Sequence, residues 1–311
     1  MKNTRTAVIG TGYLGRFHAQ KYAELPGSRL VAVVDTDANR TASVAAELGV
    51  QALTDYRQLA GEVDAVSVVV PTPQHFAIAD FFLKQGVHVL VEKPMTTTVR
   101  DAERLIRSAK EHGCVLQVGH LERFNGAVLA VRDRVRRPLF IEAHRIAPFQ
   151  PRGTEVSVVL DLMIHDIDII LSVVDSPMTQ LHTVGVPVLT NEVDIANARL
   201  EFASGCVANV TASRVSNKTE RKMRIFESDS YVSIDFQAKS VSIRRRRGGA
   251  IESEELRSDD NDALRAQIAS FLNAVRTGTP PVVSGEDGKR ALEAALAISA
   301  RLQPQKLAAA P

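Results

Sequence analysis

An apolar run at residues 7–9 enters a turn of the form G-x-G-x-x-G, with glycine at Gly10, Gly12 and Gly15. Beyond it Leu14, Phe17, His18, Tyr22 and Leu25 recur at helical spacing. A second apolar run, residues 31–34, ends on Asp35. Strand, glycine turn, helix, strand and acid in that order make a βαβ unit shaped for a dinucleotide. Gly10 allows the sharp turn, Gly12 lets a pyrophosphate approach the backbone, and Gly15 brings helix and sheet together. Thr11, Tyr13 and Leu14 complete the turn, whose helix N-terminus offers N–H groups to phosphates. Asp35 is placed to accept both adenosine ribose hydroxyls and to repel a 2′-phosphate, so NAD is expected over NADP. Arg40 lies close enough to soften that preference.

The same alternation continues to about residue 120. Residues 65–70, 87–91 and 115–118 are apolar, β-branched runs suited to strands buried on both faces of a parallel sheet. Amphipathic segments at 39–48, 75–85 and 99–111 separate them, the last with Thr98 as N-cap and Gly113 just past its end. The first half therefore reads as a doubly wound α/β domain, residues 1–120, whose ligands lie beyond the carboxyl ends of the strands. Three groups fall there: Pro71, Thr72 and His75; Glu92 and Lys93, followed by Pro94; and His120, Arg123 and Asn125. Lys93 reads either as half of a surface pair with Glu92 or as a cation over the nicotinamide. Pro94 restricts its backbone and can adopt the cis form.

The remainder, residues 121–311, reads differently. An alternating strand at 138–147 carries Arg145, and a loop at 148–155 carries Arg152. An apolar helix is expected over 156–174, with Asp161, His165 and Asp168 on one side. Polar groups on a buried helix cost free energy unless paired, so they are either satisfied core residues or a site. An Asp-His-Asp set could also ligate zinc, but no cysteine or further histidine cluster supports a metal. Strands are expected at 183–188, 195–202, 206–213, 222–227, 231–235 and 240–245, followed by helices at 263–276 and 289–302 returning to the first domain. An open antiparallel sheet of this size has a face to hide, and self-association into a dimer or tetramer hides it.

Charge and composition narrow the partners. A net charge of +2 gives no global field for nucleic acid, and the basic run Arg244 to Arg247 reads as a solvated strand end. No apolar stretch is long enough to span a bilayer. Cys114 and Cys206 sit in apolar surroundings and read as buried free thiols, which suits a reducing, cytoplasmic setting.

Together these segments resemble the Gfo/Idh/MocA family of sugar dehydrogenases. The resemblance rests on residues 10–19, 70–75, Glu92-Lys93-Pro94, Gly119-His120 with Arg123-Phe124, 160–168, 267–278 and 281–288. It implies an N-terminal Rossmann domain and a C-terminal α/β domain with an open, mainly antiparallel sheet. It also implies oligomers built on that sheet, and places Glu92 and Lys93 near the nicotinamide ribose. Residues 145–168 are most similar to the branch that oxidises the 3-hydroxyl of UDP-N-acetylglucosamine or its uronic acid. On that expectation His165 is the base, Asp161 orients it or binds substrate, and Lys93 donates to the reacting hydroxyl. Arg123, Arg145 and Arg152 are candidates for a diphosphate, with His120 and Asn125 beside the sugar. The alternatives are a free-sugar or inositol dehydrogenase, an NAD-dependent glycosidase, and a non-enzymatic NAD-binding regulator.

Overall fold

A computed structural model describes residues 3–150, 156–257 and 262–302. The chain divides into two compact units, Met1–Phe124 with Asp262–Lys289, and Asn125–Asn261 with Arg290–Pro311.

In the first unit, β1 (Thr4–Ile9), α1 (Tyr13–Glu24), β2 (Ser28–Val34), α2 (Ala38–Leu48), β3 (Gln51–Leu53), β4 (Ala65–Val68), α3 (His75–Lys84), β5 (His88–Glu92), α4 (Val99–Glu111) and β6 (Leu116–Gly119) follow in order. All strand pairs are parallel, in the order β3-β2-β1-β4-β5-β6. The β-branched runs become strands because helices cover both faces: every residue of β4 is buried. The run expected to reach residue 70 stops at Val68, ahead of Pro71. The Thr98 side chain caps α4 by accepting from the Asp101 N–H. Tyr22, Val33, Leu90, Ile268 and Phe271 form part of the core, the last two from the helix at Ala263–Thr277.

The second unit opens with α5 (Gly126–Val131) and β7 (Phe140–Ile146). Next come α6 (Ile164–Val173), β8 (Met178–Val186), β9 (Ile195–Phe202), β10 (Val207–Ser213), β11 (Glu220–Phe226), β12 (Ser230–Asp235), β13 (Ser240–Arg247) and β14 (Ala250–Arg257). The chain then forms α7 (Ala263–Thr277), within the first unit, and α8 (Gly285–Arg301), which starts in the first unit and ends in the second. The sheet order is β14-β13-β12-β11-β7-β10-β9-β8, antiparallel except for the parallel β7–β10 pair. That pair joins through α6, β8 and β9, the long crossover that parallel neighbours require. Strand β14 has no counterpart among the expected strands; its residues are nearly all exposed and carry no inward apolar alternation. One sheet face is buried through Ile141, Val210, Met223, Ile225 and Val232 against Met163, Ile167 and Ile298. On the alternate positions Phe140, Phe226 and Tyr231 touch ring to ring, at 5.6 and 5.1 Å between centroids. Cys206 is buried as expected; Cys114 is only half-buried, because it follows α4 near the sheet's outer end.

Candidate active site

The glycine turn is built from backbone. Gly10 has φ +98°, and a Cβ there would collide with the Val69 carbonyl. Gly12 caps α1 with no side-chain hydrogen bond, and the first turn holds no acid. Nothing lies within 4 Å of where a Gly12 Cβ would be. Open space facing uncapped helix N–H groups fits a pyrophosphate. Tyr13 is 71% exposed and meets Phe17 edge to face at 5.1 Å, while Leu14 is half-buried.

Asp35, at the end of β2, is drawn into this turn. Its Oδ2 accepts from the Thr11 N–H at 2.7 Å and from Thr11 Oγ1 at 3.1 Å. Its Oδ1 accepts from the Asp37 N–H at 3.1 Å and Arg40 Nη2 at 3.3 Å. Burial pushes the carboxyl up, but the bonds from Thr11 and Asp37 with the Arg40 charge hold it below the usual carboxylate range. Asp35 is therefore an anion at neutral pH, with Arg40 at its outer edge.

Beyond β4 and β5 the chain is tied by histidines. His75 is 1% exposed, with Nδ1 2.9 Å from the Pro94 carbonyl oxygen and Nε2 2.8 Å from that of Val70. Both ring nitrogens of His75, expected at the cofactor, face backbone carbonyls, and the single N–H of the neutral ring ties it to one of the segments after β4 and β5. Pro71 is exposed and Thr72 half-buried, leaving that edge open. The Lys93–Pro94 bond is cis, and Lys93 is half-buried. Glu92 Oε2 accepts from the Lys93 N–H at 3.4 Å, and Oε1 lies 3.3 Å from His18 Nε2 and 3.5 Å from Gln267 Nε2. A Cβ at residue 119 would strike the Glu92 carboxylate, so only Gly119 at the end of β6 leaves it room. Burial pushes Glu92 up, yet His18, Lys93 and His75 hold it below the usual carboxylate range. His120 is buried just after β6, and Arg123 Nη2 lies 3.8 Å from Asp287 Oδ1.

In the second unit the expected helix is not continuous. A π turn, Val159–Met163, precedes α6 and contains Asp161. Such widened turns recur at functional sites. Asp161 and His165 are half-buried, whereas Asp168 is buried. Asp166, which the sequence reading passed over, is buried too, and Arg145 answers it with Nε–Oδ2 and Nη2–Oδ1 contacts of 2.8 and 2.9 Å. The Arg145 guanidinium carbon also sits 5.4 Å from the Phe236 ring centroid. This corrects the expected phosphate role of Arg145: at 3% exposure its fork is committed to a buried carboxylate. Asn125 is half-buried: its Oδ1 accepts from the Ala127 N–H to cap α5, and its Nδ2 donates to the Phe236 carbonyl. Arg152 lies outside the described residues. Farther along, Arg214 Nη2 donates to the Val156 carbonyl and its Nε lies 3.8 Å from buried Asp194. Asp194 in turn accepts three N–H groups, from Val188, Leu189 and Thr190. Among the described residues no group of three or more His, Cys, Asp or Glu side chains could hold a metal, and no helix is long and apolar enough to cross a membrane.

His18, Ser67, Tyr22 and Gln267 were missed as polar participants. His18 and Tyr22 stand at i and i+4 on α1, the one available signal, which reads equally as a core face.

Comparison with known proteins fits this geometry. Residues 4–120 match the model described as "Oxidoreductase family, NAD-binding Rossmann fold", and residues 124–232 match the GFO/IDH/MocA C-terminal domain. A UDP-N-acetylglucosamine 3-dehydrogenase from Acidithiobacillus ferrooxidans is 42% identical over 305 residues, covering 96% of this chain and 97% of that protein. Its solved structure superposes with a TM-score of 0.92 over 97% of this chain and 98% of that one. A scyllo-inositol 2-dehydrogenase (NAD(+)) from Bacillus subtilis is 27% identical, covering 95% of this chain and 93% of that protein. The chain belongs to the Gfo/Idh/MocA family of oxidoreductases.

Proposed function

We propose that this protein oxidises the 3-hydroxyl of UDP-N-acetylglucosamine or a closely related UDP-sugar with NAD. The observation that carries this reading is the 42% identity to a UDP-N-acetylglucosamine 3-dehydrogenase along nearly the whole chain. The site residues supply the chemistry. Gly10, Gly12 and Gly15 with the α1 N-terminus would hold the pyrophosphate, and Asp35 the adenosine ribose. The anionic Asp35, fixed by Thr11, disfavours a 2′-phosphate, so NAD is preferred over NADP. NAD bound there would supply the acceptor for the hydride of the carbinol carbon. His165 takes the hydroxyl proton, Asp161 orients that exchange from one turn earlier, and Lys93 donates a hydrogen bond that steadies the negative charge growing on the oxygen.

The exposed sheet face, with Phe140, Phe226 and Tyr231 among the half-buried ion pairs Arg224–Glu142 and Lys222–Asp235, supports self-association of the second unit. A mixed apolar and paired-charge surface of this kind suits an interface between copies.

A panel of UDP-sugars, free amino sugars and inositols, followed by NADH absorbance, tests the reading. Reduction of NAD by UDP-N-acetylglucosamine with the highest kcat/KM supports it. Preference for an inositol would favour the second reading, for which the 27% identity to an inositol dehydrogenase speaks.

A further inference from the structure

Behind Lys93 runs a line of buried polar groups that the proposed reaction does not use. Tyr22 Oη lies 2.9 Å from Ser67 Oγ, and Ser67 Oγ lies 3.2 Å from His18 Nδ1. His18 Nε2 is 3.3 Å from Glu92 Oε1, and the other Glu92 oxygen takes the Lys93 N–H. Tyr22 and His18 are fully buried, and so is Ser67. The N–H direction of His18 is off the line of a well-aligned hydrogen bond, so its hold on Glu92 is largely electrostatic.

One sense of the hydrogens along this line satisfies each neighbour in turn. Burial pushes the Tyr22 phenol far above its ordinary range, so it keeps its proton and can donate to Ser67. Ser67 then donates to His18 Nδ1, and the imidazole proton sits on Nε2, facing Glu92. The reverse sense would turn a bare Nε2 lone pair toward a carboxylate, a repulsive contact. In that sense the Nε2–H lies on the Glu92 side of the His18 ring. From other elements, the charged or titratable groups facing Glu92 are Lys93 and His75; Gln267 and Gly119 complete its surroundings.

We propose that His18 is a positioning residue for the reaction, holding the Glu92 carboxylate through Nε2 so that Glu92 fixes the Lys93 backbone and charge. This rests on the reading of Lys93 as the hydrogen-bond donor in a dehydrogenase. Gly119 leaves the room that the Glu92 carboxylate occupies, and Gln267 and the His18 ring both approach its Oε1. The role is separable from mere packing. Leucine at position 18 fills the space without a donor, whereas glutamine restores an N–H.

The test compares His18→Leu, His18→Gln and Ser67→Ala with the unmodified protein. Glu92 is observed in protein carrying carboxyl-labelled glutamate, its carbon signal assigned by loss in Glu92→Gln. In the absence of sugar and cofactor, His18→Leu should move the Glu92 titration to higher pH, and His18→Gln should move it back. With substrate, His18→Leu should lower kcat by up to ~10²-fold, as for a misplaced catalytic group, with little change in sugar KM. The acid limb of its pH–rate profile should shift upward, and His18→Gln should recover most of kcat. If His18→Leu does not fold by circular dichroism, Ser67→Ala decides. It removes the hydroxyl that feeds Nδ1 and should shift both readouts in the same direction by less. An unmoved Glu92 titration in whichever of the two variants decides, or a His18→Gln as impaired as His18→Leu, overturns the proposal. Because the titration is read without sugar, failure of the unmodified protein to oxidise any sugar would sink the dehydrogenase reading while leaving the titration to decide on His18.

Discussion

The nucleotide turn of the first unit and the helix segment bearing Asp161 and His165 in the second hold their polar groups in different ways. In the first, backbone geometry leads: Gly10 turns, Gly12 opens a helix end, and Asp35 is captured by the Thr11 and Asp37 N–H groups. In the second, a side chain answers a side chain: Arg145 neutralises Asp166 on the segment bearing Asp161 and His165. The first carries a recognisable motif, a glycine turn followed by a strand that ends on an acid; the second joins Arg145 and Asp166 across a comparable sequence gap with no motif to announce it.

The largest expected break falls on the chemistry of the second unit. A positioned general base contributes ~10²–10⁴-fold, so His165→Ala should lower kcat by about that factor with NAD binding nearly unchanged, as read by steady-state kinetics and calorimetry. Next is the ion pair. Removing one partner of a buried pair typically costs about 3–5 kcal/mol, so Arg145→Ala should destabilise by that order in urea unfolding. If Arg145 served a substrate phosphate instead, stability would hold and KM would rise. Replacing Arg145 and Asp166 together by apolar residues should recover much of the loss.

Three effects in the first unit, on cofactor preference and on stability, should be smaller. Asp35→Ala should narrow the preference for NAD over NADP, measured as the ratio of the two kcat/KM values. Thr98→Ala, which removes a helix cap, should cost about 1 kcal/mol in the same unfolding assay. Asp35 and Glu92 both have depressed carboxyl pKa values, so each stabilises the fold above the ordinary carboxylate range and loses that contribution as pH falls through the folded-state pKa. His75 is depressed mainly by burial, so it too favours the fold above the usual imidazole range and ceases to as pH falls below it. Glu92→Gln should flatten the acid side of a plot of unfolding free energy against pH, and His75→Asn should flatten the portion nearer neutrality.

This contrast also explains what the sequence could tell. The glycine turn, the parallel sheet, the Thr98 cap and most of the antiparallel strands follow from periodicity and local propensity, and they are where they were expected. Arg145 reads as a phosphate ligand because no motif links it to Asp166. His75 looked like a ligand because it opens a helix at a strand end; only the fold brings the Pro94 carbonyl to its other nitrogen. The π turn escaped notice because apolar periodicity over residues 156–174 is compatible with an unbroken α-helix. Strand β14 escaped because an exposed, glutamate-rich edge strand has no buried face to mark it.

The most direct test uses UDP-N-acetylglucosamine deuterated at C3 with NAD. The account predicts that the label moves from sugar to the reduced cofactor, seen by mass spectrometry, with a slower rate than for unlabelled sugar and a 3-keto product. Turnover that leaves the deuterium on C3, or reduction of NAD only by free polyols, would contradict it.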